Sequence, residues 1–92
     1  EDSLYQRALE VVRIAESGVV EKVESVPGAG SAPSARIGSW AVVLEGDYAE
    51  LLRKNRPPIV TRSGGGRTIC DLRSIAREDD AALASAIRSI VK

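Results

Sequence analysis

The stretch RPPIVTRSGGGRTICDLRSI, residues 56–75, gathers residue types that can do chemistry. Gly64, Gly65 and Gly66 stand in a row between Arg62 and Arg67. Glycines beside cations suggest a phosphate cradle. Such a cradle needs the glycines between a strand and a helix N-terminus, where free N–H groups and the helix dipole converge on the anion. Here the β-prone run RTICDL follows instead. Successive glycines between two β-prone runs meet the positive-φ demand of a hairpin turn, so a hairpin is the expectation. Arg62, Arg67 and Arg73 remain candidate anion contacts. The alternative is solvated arginines, or a surface ion pair of the Asp71–Arg73 kind.

The other chemical candidates are few. The chain has no histidine, so a Ser-His-Asp centre, a Cys-His centre and a His-ligated metal site are all excluded. Cys70 is the lone cysteine, which rules out an internal disulfide and a structural zinc cluster. It sits within a strand with no base in view, the setting of a buried structural thiol rather than a nucleophile. Glu78, Asp79 and Asp80 are explained by helix capping. Lys22, Lys54 and Lys92 lack the company a Schiff-base lysine needs: a phosphate cup, an acid for the pyridine nitrogen and a stacking ring. No catalytic residue is assigned. The small-residue segment PGAGSAPSARIG, residues 27–38, is either a plain connection or a place where backbone comes close to a ligand or another domain.

The elements that would position these residues follow from periodicity. Leu4, Ala8, Val11, Val12 and Ala15 form a helical stripe; Ser3 with Gln6 resembles a capping box, and Gly18 is a natural stop. VVEKVESV reads as a half-solvated strand. SWAVVL is apolar on both faces, with Trp40, Val42 and Leu44 on one side and Ala41 and Val43 on the other. That pattern fits the middle of a sheet or a strand under a second layer. GDYAELLRKN reads as a short helix capped by Asp47, closed by Asn55 and stopped by Pro57 and Pro58. IVTR and RTICDL flank the turn. The last helix buries Leu83, Ile87, Ile90 and Val91. The order is α-β-β-α-β-β-α. The expected fold is α+β: a small mixed, mostly antiparallel four-stranded sheet with helices packed on one face.

Ninety-two residues make a single domain, 1–92, with a modest core. Thirteen basic residues balance thirteen acidic ones, and aromatic residues are scarce, which disfavours a free-standing nucleic-acid binder. No run is long enough to cross a bilayer and nothing resembles a signal peptide, so a cytoplasmic protein without membrane contact is expected. The chain starts at Glu1 in helix-like sequence without a Met, which suggests a cut or processed product.

The run PPIVTRSGGGRTICDLRSIAREDDAALASAI, preceded by PGAGSAPS and SWAVVL, resembles the C-terminal portion of bacterial selenocysteine synthase, L-seryl-tRNA(Sec) selenium transferase, and its relatives. The match covers roughly residues 26 to 90 and rests on the order and spacing of motifs that are weak singly. Ala29 and Ser34 stand where further glycines are expected, SGGG replaces a more polar turn, and Ala76-Arg77 stands where a helix-starting proline is usual. The resemblance implies the small C-terminal domain of a fold-type I pyridoxal phosphate enzyme, not catalytic alone, closing over a cofactor-binding domain of the same chain. The parent would convert seryl-tRNA(Sec) to selenocysteinyl-tRNA(Sec) as a homo-oligomer, with pyridoxal phosphate held outside the present chain. Gly28, Gly30, Ser31 and Arg36 would then be the substrate-proximal residues. The alternatives are a stand-alone regulatory or dimerisation module, or the small domain of a related pyridoxal phosphate enzyme with another substrate.

Overall fold

A computed structural model of the chain describes residues 2–25 and 37–91. The order of elements is α1 (Asp2–Ala15), β1 (Val19–Ser25), β2 (Ile37–Glu45), α2 (Ala49–Arg53), β3 (Arg62–Gly64), β4 (Arg67–Asp71) and α3 (Asp80–Val91). Short 3₁₀ turns at Leu72–Ser74 and Arg77–Asp79 join β4 to α3. The expected α-β-β-α-β-β-α order is present. The sheet runs β1-β2-β4-β3, and each pairing is antiparallel. The crossover through α2 makes β2 and β3 run in the same direction, but β4 lies between them, so no parallel pairing forms.

Each helix turns its apolar stripe to the same side of the sheet. Leu4, Ala8, Val11 and Ala15 of α1 join Val42 and Leu44 of β2, Leu52 of α2, Cys70 of β4, and Leu83 and Ile87 of α3 in one core. Trp40 packs at its margin, its ring centroid 4.7 Å from that of Tyr5. With no Phe or Met in the chain, branched aliphatics and alanines fill this layer. Small residues let α1 and α3 pack close to each other. Arg7 fastens that contact: its guanidinium donates to both carboxylate oxygens of Asp80, at 2.8 and 2.7 Å, and to the Ile75 carbonyl at 2.7 Å.

Local stops follow the chemistry of the turns, with some differences from expectation. Ser3 lies inside α1 rather than capping it. Past α1, Glu16 and Gly18 both take positive φ, 57° and 93°. A Cβ on Gly18 would sit 2.9 Å from Val42 Cγ1, so glycine is required there on two counts. Asp47 accepts from the Ala49 N–H at the start of α2. Thr68 Oγ1 accepts from the Tyr48 N–H at 2.8 Å and donates to the Gly46 carbonyl at 2.7 Å, which ties α2 to β4. Asn55 does not take the left-handed conformation; its side chain bonds the Pro57 carbonyl instead. Most of IVTR belongs to no strand, and β3 begins only at Arg62. Among the described residues no helix is long and apolar enough to cross a membrane.

Candidate functional site

The face of the sheet turned away from the helices carries the candidate residues. Alternation along the strands places Val19, Glu21 and Val23 of β1 on this face. Ser39, Ala41, Val43 and Glu45 of β2, Arg67, Ile69 and Asp71 of β4, and Arg62 of β3 share it. No helix covers this face among the described residues, yet Ser39, Ala41 and Val43 are each no more than 2% exposed. Arg67 covers part of it. It lies opposite Glu45 on β2, and its guanidinium reaches Glu21 on β1 at 2.5 Å. The bridge therefore crosses above Val43. Its hydrogen bond to Glu21 is the main reason the Arg67 guanidinium holds its proton even more firmly than usual.

Asp71 is the hub of the other half of the face. It is 3% exposed. Ser39 Oγ–H donates to Oδ1, and the Arg73 backbone N–H donates to the same oxygen at 3.0 Å. Arg62 donates to Oδ2 at 3.2 Å, diagonally across the β3–β4 pair. The Arg73 guanidinium turns back to the Gly38 carbonyl at 2.6 Å, where the chain enters β2. Asp71 thus closes β4, caps the following 3₁₀ turn and fastens the start of β2. Asp71 pairs with a neighbour, Arg62, and accepts from the backbone N–H of Arg73, but its carboxylate is buried rather than at the surface.

The sequence-derived candidates sort clearly on this frame. Arg62, Arg67 and Arg73 do share one region of the molecule. Each is engaged with acceptors of the chain itself, so an incoming anion would have to displace carboxylates or a carbonyl. Gly28, Gly30, Ser31 and Arg36 lie outside the described residues, as does Lys92. The glycine run is a hairpin bend: Gly65 and Gly66 take φ of 60° and 76°, and the Gly66 carbonyl accepts from the Gly46 N–H at 2.7 Å. Two successive positive φ values match the twist of the flanking strands. Cys70 is fully buried, and burial pushes its thiol up to about 12, far from a reactive thiolate.

Two features escaped sequence reasoning. The burial of Asp71 left one usable trace, its place immediately before a tight turn, where Asp side chains bond backbone N–H groups. Arg7 gave none. It is one polar residue on the flank of a helical stripe, and its partner is distant in sequence.

The described lysines do not fit pyridoxal phosphate. Lys22 is exposed on the edge strand β1, and Lys54 is exposed at the end of α2, 3.6 Å from Glu50. Lys22 stands opposite Trp40 across the β1–β2 pair. Among the described residues no three His, Cys, Asp or Glu side chains group as a metal site requires. What the arrangement achieves is cross-strand bracing: Arg67 and Asp71 tie neighbouring strands together on the open face, although Arg67 Nε itself has no hydrogen-bond partner. No protein-family model matches the chain, and no curated protein is detectably similar to it.

Proposed function

We propose that the chain is the small C-terminal domain of a pyridoxal-phosphate-dependent enzyme of the L-seryl-tRNA(Sec) selenium transferase type, and that it acts as a lid without a reactive centre of its own. The observation that carries the reading is the fall of the motif run onto one set of elements. SWAVVL forms β2, one of the two inner strands, the glycines form the β3–β4 bend, and DLR runs from the last residue of β4, the buried hub Asp71, into a 3₁₀ turn. The acidic run forms the 3₁₀ turn before α3 and its first residue, Asp80. In that reading the cofactor supplies the electron sink for replacing the seryl hydroxyl by selenium, and it resides on a lysine of another domain. This chain contributes a stiff sheet whose ion-paired face can seat against that domain and exclude water.

A stand-alone regulatory or dimerisation module is the second reading. It is favoured by the self-satisfaction of the open face, since Arg62 and Arg67 already have carboxylate partners. A related pyridoxal phosphate enzyme with another substrate shares every structural argument for the first.

The test is borohydride trapping. The purified 92-residue chain incubated with pyridoxal phosphate and reduced should retain no stoichiometric cofactor by mass. The polypeptide encoded in the same reading frame upstream of Glu1, joined to it, should retain one equivalent. A stoichiometric adduct on a lysine of the short chain alone overturns the lid reading. An upstream frame that stops close to Glu1 favours the module.

A further inference from the structure

The sheet has two edges, and only one is blunted. β3 ends one side with the short run Arg62–Gly64, whose last two residues are small. β1 ends the other with Val19–Ser25, which contains neither glycine nor proline. β2 takes one side of the β1 backbone, and among the described residues no strand takes the other. A long, regular edge of this kind is a template for another strand.

The helix layer is unfinished on the same side. Tyr5, Leu9 and Val12 share one flank of α1 by helical spacing. Arg7 marks the opposite flank, where it meets Asp80 of α3. Tyr5 leans on Trp40, which stands opposite Lys22 of β1, so the apolar flank rises beside the open edge. Tyr5 and Leu9 are 37% and 39% exposed, and Val19 at the start of β1 is 53% exposed. Sheet and helix layer are therefore both open on this side of the molecule.

We propose that this side pairs with a second copy of the chain, β1 against β1, in an antiparallel two-fold dimer. A two-fold axis perpendicular to the sheet joins the two sheets into one and keeps both helix layers on the same face, so the apolar flank of α1 meets its counterpart across the seam. Charge selects the register, because side chains directly opposite one another share a face and interact. An axis at Lys22 sets lysine against lysine, and an axis at Glu21 sets glutamate against glutamate. An axis at Val23 sets valine against valine and gives the Lys22 of each copy the Glu24 of the other. Lys22 and Glu24 are both exposed, whereas Glu21 is engaged with Arg67. Glu24 also has an interaction within its own copy, and a carboxylate has acceptor sites to spare for a second donor. A strand from an unrelated protein satisfies the backbone but not this reciprocal pairing, so a copy of the chain is the better match. The dimer does not depend on the lid reading: cofactor trapping can fail while the dimer stands, and the reverse.

The experiment is sedimentation equilibrium over a range of chain concentration. The parent chain should be dimeric at high micromolar concentration. Lys22→Glu alone and Glu24→Lys alone each set like charges opposite one another at both pairs, and each variant should dimerise roughly ten-fold more weakly. An equimolar mixture of the two variants restores a lysine–glutamate pair at both places and should associate like the parent, as a heterodimer. Circular dichroism should show the parent fold in both variants, because the substituted side chains are exposed. A parent chain that stays monomeric at millimolar concentration overturns the proposal and leaves the edge to a strand of another protein. So does undiminished association of either variant, or a mixture no more associated than its two components.

Discussion

At the scale of single residues, Asp71 carries the most structural consequence per atom. Replacing it by Ala strips the acceptor from the buried Ser39 hydroxyl and the Arg73 N–H and removes the partner of Arg62. A cost of about 2–3 kcal/mol is expected, because a buried donor left without a partner forfeits its full desolvation penalty. Asp71→Asn keeps an acceptor oxygen and should cost clearly less. Denaturant unfolding of the two variants checks the order; equal stability of Asp71→Ala and the parent chain refutes it. Cys70 gives a second residue-scale expectation. Its thiol is raised by burial from 9.0 to about 12, so the native state holds a proton that the unfolded chain releases. The stability linked to this group is intact below pH 9.0 and falls as pH climbs toward about 12. Cys70→Ala should flatten that alkaline limb in a series of melts across pH. An unchanged limb would assign the loss to other groups.

At the scale of elements, the short helix α2 is held less by its own five residues than by Thr68. An isolated helix of that length does not persist in water. Thr68→Val keeps the shape and removes the hydroxyl that serves both the Tyr48 N–H and the Gly46 carbonyl. It should cost about 1–3 kcal/mol and speed amide exchange in α2 more than in α1. Uniform exchange throughout would argue against this anchoring. Gly18→Ala meets both a φ of 93° and a contact of 2.9 Å with Val42, and a loss of about 1–3 kcal/mol is expected in thermal melts. Gly65→Ala meets open space and carries only the φ penalty of about 1 kcal/mol. The elements themselves were legible because their signals are local. The stripe of α1, the double-faced apolar run of β2 and the glycine bend each declare themselves within ten residues or so. The start of β3 was not legible, since IVTR is β-prone but finds no partner strand until Arg62 meets Ile69. Asp71 and Arg7 were misread or missed for a related reason: burial of a charge is decided by partners far along the chain.

At the scale of the whole molecule, the helices on one face and the ionic cover on the other make a two-layer domain with one finished core. The first and last helices are neighbours, joined by Arg7 and Asp80. A chain ending at Asp79 would lose Leu83, Ala84 and Ile87 from that core and should show no cooperative melt. A sharp transition in such a truncation would show that the sheet and α1 suffice. The neighbourhood of α1 and α3 also sets a constraint on birth. During synthesis α1 leaves the ribosome before α3 and lacks part of its packing partner until α3 has followed it. Until then the apolar stripe of α1 must wait, in water or in the care of a chaperone, while the intervening residues are translated.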